Sequence, residues 1–132
     1  MMIIKSIISL MIACALTTSV MPAASNQSFG KKEKALCAAA KTGDSKHLQK
    51  LITKKAHINA RDETGRTALH HAADCGHIEI VRLLITAKAN VYALDKYHLT
   101  PLNLAAFHRH KAIVELLEVA ALSQYAANPT QD

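Results

Sequence analysis

The chain lacks the motifs on which many catalytic centres are built. Only four glycines occur, and no phosphate-cradling loop can be drawn from them. There is no G-x-S-x-G elbow and no carboxylate pair in an evident pocket, so the expectation is that the protein is not an enzyme. Aromatic residues make up 4% of the chain, and none is interleaved with the lysines, which leaves stacking on nucleic-acid bases without support. Eight histidines are present, yet His71, His98, His108 and His110 lack the spacing by which one rigid element delivers two ligands to a tetrahedral ion. No metal and no other cofactor is expected.

What the chain does have is self-similarity. Laid over itself at an offset of 33, it pairs Asp62 with Asp95, Thr67 with Thr100, Leu69 with Leu102, and Ala72-Ala73 with Ala105-Ala106. His77 falls on His110, Val81 on Val114, and Leu83-Leu84 on Leu116-Leu117. One period further back, Ala39-Ala40, Gly43, Leu48 and Leu51-Ile52 take the matching places. A repeat of this length is the mark of a solenoid whose units cover one another, not of a single globular core. Within the middle copy, Thr67 is a good helix N-cap before Ala68, Leu69, Ala72 and Ala73, and Gly76 ends that helix. Ile78, Val81, Leu83, Leu84 and Ile85 then form an apolar stripe of helical period. The paired alanines sit where helices must approach closely.

The segment Asp62–Leu94 resembles an ankyrin repeat, with T-A-L-H at Thr67–His70, the alanine pair, Gly76-His77, the I-V-x-L-L run and the A-N-V ending. The third copy keeps Thr100-Pro101-Leu102 but has Asn103, His98 and Arg109 where the family has His, Gly and Gly. The first copy lacks the opening motif. Degenerate outer units are expected of a capped array. The resemblance implies an all-α fold, an ankyrin-repeat solenoid of helix-turn-helix units joined by short β-turns. Its units would span about 33–61, 62–94 and 95–121, with a linker at 25–32 and a frayed tail at 122–132. In the family His70 bonds its own Thr and the neighbouring turn. Lys55 and Lys88 stand where the family turn favours glycine, which implies strain of about 1 kcal/mol at each if the geometry is kept.

The N-terminus reads as a secretory signal peptide over residues 1–24: Lys5, an apolar run from Ile7 to Leu16, then small residues ending in Pro22-Ala23-Ala24-Ser25. The run is shorter than the roughly 20 residues of a spanning helix, so no lasting membrane association is expected after cleavage at Ala23 or Ala24. Met11–Cys14 offers a fainter alternative, a lipoprotein cleavage box. The protein is expected to be periplasmic or secreted. Export would permit a disulfide between Cys37 and Cys75, but the repeat register sets them too far apart. Removing Lys5 lowers the net charge from +6 to +5. Nine basic residues against two acidic ones lie between Lys31 and Arg61, and Lys46, Lys50 and Lys54 recur every four residues.

By the resemblance, the function is a non-catalytic protein-protein interaction module whose partner surface is the concave face of turn tips and first helices. Its positions here are Glu63, Thr64, Arg66, Asp74 and Cys75, then Lys96, Tyr97, Leu99, Phe107 and His108, with Lys41 and Thr42 in the first unit. Tyr97, Leu99 and Phe107 have the composition of a binding hot spot, unless Leu99 and Phe107 pack under the C-terminal cap. The expected partner is another protein, bound by a monomer; a small-molecule substrate or nucleic acid is not expected. The alternative is a basic-patch binder of an anionic surface, an acidic protein, lipid headgroups or nucleic acid, through Lys31 to Lys55.

Overall fold

The computed structural model describes residues 30–127, and the signal-peptide expectation lies outside them. Six helices occur among the described residues: α1 Lys31–Thr42, α2 Ser45–Thr53, α3 Ala68–Cys75, α4 Ile78–Thr86, α5 Pro101–Phe107 and α6 Lys111–Ala127. They form three antiparallel pairs. Each first helix packs on the first helix of the next unit, and each second helix on the next second helix, so the pairs stand in one row.

The alanine pairs allow that close approach. Ala39, Ala40, Ala72, Ala73 and Ala105 are all buried between first helices, with Leu36, Leu69 and Leu104 beside them. The second helices supply Leu48, Ile80, Val81, Leu84, Ile113 and Leu117 to the same continuous core. Ile80 is fully buried, although the sequence stripe drawn from Ile78 to Ile85 passes over it. Ile78, Leu83 and Ile85 are only partly covered.

Capping follows the sequence closely. The Thr67 hydroxyl accepts from the His70 N–H, and His70 Nδ1 in turn accepts from the Thr67 N–H at 3.1 Å. In the third unit Asn103 replaces His70 and does the same work, accepting from the Thr100 N–H at 2.9 Å and the Thr100 hydroxyl at 2.8 Å. Left-handed backbone recurs at matching places whether or not glycine is there. Gly76 and Arg109 share one such position, Gly65 and His98 another, and Lys55 and Lys88 a third. The register of the stack dictates the turn, and the non-glycine residues accept the strain, about 1 kcal/mol each.

The outer boundaries differ from those drawn on the sequence. Helix α1 starts at Lys31, inside the expected linker, and α6 continues to Ala127 through much of the expected tail. The Ala- and Leu-rich stretch after Ala120 favours helix. Gln124 then closes the array: its amide donates to the Ala89 carbonyl and accepts from the Val91 N–H.

Candidate functional site

The turn preceding each first helix is built around one aspartate. Asp62 Oδ1 accepts from the Thr64 N–H at 2.9 Å, the Thr64 hydroxyl at 2.6 Å and the Arg66 N–H at 3.0 Å. Its other oxygen meets His71 Nε2 at 2.8 Å. Burial alone would raise the Asp62 carboxyl, but these hydrogen bonds, led by those from Thr64 and His71, bring it down to about 2. Asp95 repeats the arrangement with the N–H groups of Tyr97 and Leu99, and Arg66 Nε adds a contact at 3.2 Å. Burial opposes ionisation there too, and the donors again win, so the Asp95 carboxyl is held below its ordinary range.

Adjacent turns are tied together. The Lys96 N–H donates to the Thr64 carbonyl at 3.0 Å, and His70 Nε2 bonds the Leu99 carbonyl at 3.0 Å. Burial pushes His70 and His71 below the usual histidine value, which favours the neutral rings that can share their nitrogens in this way. Further along, the second-helix N-cap histidines staple units together: His77 Nε2 meets the Lys41 carbonyl at 2.9 Å and His110 Nε2 the Asp74 carbonyl at 3.3 Å. Each ring lies over the glycine of the preceding unit. A Cβ on Gly43 would come within 2.8 Å of His77, and one on Gly76 within 2.7 Å of His110.

Between turns and first helices runs an open groove of about 540 Å³. Lys41, Thr64, Arg66, Asp74, Cys75, Lys96 and Tyr97 line it, joining seven of the sequence-selected positions on one surface. Asp62 and His71 line it too, although neither was selected as a surface position. The coincidence of Asp62 with Asp95 at the repeat offset was the signal available for the aspartate. Arg66 organises the groove, reaching Asp95 at 3.2 Å and Asp74 at 3.4 Å. Asp74 also meets His108 Nε2 at 2.8 Å, which links the groove to the end of α5. Lys96 Nζ sits 4.9 Å from the centre of the Tyr97 ring, and that tyrosine is 63% exposed.

The remaining selected positions lie apart from the groove lining. Glu63 and Thr42 are exposed, the latter with its hydroxyl on the Ala38 carbonyl at 3.1 Å. Leu99 is half-buried and serves through its backbone. Phe107 is 81% exposed and meets His108 edge-on, so it does not pack under the cap.

The family comparison decides what this row of units is. The model of ankyrin repeats in three copies matches residues 10–93 and 35–121. The chain belongs to the ankyrin-repeat family. Ankyrin repeats are in general protein-protein interaction modules, typically without catalytic activity. No curated protein matches the chain. Among the described residues no cluster of three or more His, Cys, Asp or Glu could hold a metal ion, and no helix is long and apolar enough to cross a membrane. Cys37 and Cys75 are both free; burial pushes the Cys37 thiol up to about 12, so it is protonated and inert.

Proposed function

We propose that this ankyrin-repeat protein binds another protein through its concave groove, with Tyr97 and its neighbour Lys96 as the central contact and Phe107 at the margin. The observation that carries this reading is the exposed Tyr97 ring in the lining of a groove whose Asp62, Arg66 and Asp74 side chains are held in place. Arg66, Asp62, Asp74 and Asp95 are fixed by mutual hydrogen bonds and ion pairs, so the surface is preorganised and little side-chain entropy is lost on binding. Aromatic groups next to cations are the usual anchors of such interfaces.

The protein is exported by the signal at residues 1–24 and acts in the periplasm or outside the cell. The charged start, apolar run and small-residue exit of the sequence support this. N-terminal sequencing of the product recovered outside the cytoplasm checks it: a start at Ala24 or Ser25 is expected, and an intact Met1 in the cytoplasm refutes export.

Binding is tested by affinity capture with the wild-type protein and a Tyr97→Ala/Phe107→Ala variant, followed by titration of the captured partner. A partner lost by at least about tenfold in the double variant supports the groove, since hot-spot truncations cost 2 kcal/mol or more. A partner held equally by both overturns it.

A further inference from the structure

The N-terminal end of the array is a surface of lysines that nothing in the fold neutralises. Lys31 and Lys34 lie on the α1 side opposite buried Leu36, Cys37 and Ala40. Lys46, Lys50 and Lys54 recur along α2, across the helix from buried Leu48 and Leu51. Lys32 joins the two rows, its Nζ reaching the Lys54 carbonyl at 3.4 Å. All six are exposed.

The sequence contains two carboxylates in this unit, one buried beneath the lysines and one, Asp44, exposed at the start of α2. Glu33 is buried and turned inward, accepting from the Gly30 N–H at 3.0 Å and the His57 N–H at 3.1 Å. Asp44 accepts from the His47 N–H as the cap of α2. No ion pair among the described residues involves any of the six lysines. None of the six lines the groove, to which this unit contributes only Lys41 at the far end of α1.

We infer that this end of the molecule docks on an anionic lipid bilayer, leaving the groove free at the side. Two features favour a bilayer over other polyanions. Every large exposed apolar side chain among the described residues falls between Tyr92 and Tyr125, so the lysine end offers neither the aromatic anchors of a protein interface nor stacking platforms for bases. The cations are lysines on two helix faces, point charges without the bidentate geometry that arginine brings to single phosphates. A polybasic patch of this kind gives a reversible, salt-sensitive attachment.

Co-sedimentation of the processed protein, residues 25–132, with vesicles tests the inference. With phosphatidylglycerol at about a third of a phosphatidylcholine bilayer, binding is expected to exceed that on pure phosphatidylcholine by about tenfold or more, and to fall steeply as sodium chloride rises. Lys46→Glu/Lys50→Glu/Lys54→Glu, or separately Lys31→Glu/Lys34→Glu, should remove most of the difference with the helical circular dichroism spectrum intact. The Tyr97→Ala/Phe107→Ala variant should bind vesicles as wild type does, which separates this result from that of the groove. Equal binding to neutral vesicles, or binding unchanged in both folded charge-reversal variants, overturns the inference. So does a DNA duplex that binds more tightly than the anionic vesicles at equal charge concentration.

Discussion

The two ends of the array face water in opposite ways. At the N-terminal end α1 has 12 residues against 8 in its counterpart α3, and the added turn carries Lys31, Lys32 and Lys34 above an internal carboxylate. At the C-terminal end α6 has 17 residues against 9 in α4 and leaves Val119 and Leu122 at 66% and 71% exposure. One end is closed by charge, the other by length. Neither needs the full repeat motif, because a terminal unit has only one neighbour to cover it. The lesson is that a missing consensus residue at an array end marks a different capping device there. Glu33 satisfies an early helix N–H and the His57 turn at one end; Gln124 satisfies the Ala89-Val91 turn at the other.

The contrast between interior and end can be broken most sharply with one substitution made twice. Ala73 is fully buried between first helices, whereas Ala106, its partner at the repeat offset, is exposed. Ala73→Leu is expected to cost about 1–3 kcal/mol in urea unfolding by overpacking, and Ala106→Leu less than about 0.5 kcal/mol. Equal costs would mean that the third unit has a hidden neighbour.

Capping comes next in size. Glu33→Ala leaves two backbone donors without their charged acceptor and should cost about 2 kcal/mol, while Gln124→Ala should cost about 1 kcal/mol, both read from denaturant midpoints. A reversal of that order would show that length contributes more than charge.

Acid sharpens the comparison further, because apart from Glu33 in α1 the carboxylates and histidines with depressed values lie on the middle and third units. His70 and His71 are depressed in the fold, so the unfolded chain takes up protons first and stability falls as pH drops below about 6.5. Asp62 and Asp95 are also depressed; their contribution is present above the ordinary carboxyl value of 3.8 and is lost as pH falls towards 2. Thermal melts across this range should show two descents, and Asp62→Asn should flatten the lower one. The smallest effects concern the strained turns: Lys55→Gly and Lys88→Gly should each be stabilising by about 0.5–1 kcal/mol if left-handed strain exceeds the added chain entropy of glycine, as measured by urea midpoint.

The candidate groove was partly legible in advance. Lys41, Thr64, Arg66, Asp74, Cys75, Lys96 and Tyr97 could be placed by register alone, because the repeat fixes which positions face the turn side. Asp62 and His71 escaped because their pairing spans 9 residues from a turn to a helix, a contact that periodicity does not encode. Phe107 had two equal readings, under the cap or exposed, and only packing could choose between them.

By itself the sequence determined the period, the three units and the helix start at Thr67, which the repeat offset carries over to Thr100. These depend on residues within one repeat length, where local geometry and hydrophobic spacing act. Only the tertiary structure decided which ends of the helices extend, where the Glu33 carboxylate points, and that His77 and His110 close over Gly43 and Gly76. Those outcomes depend on groups of neighbouring units or turns coming within hydrogen-bond or van der Waals distance, and stacking alone brings them together.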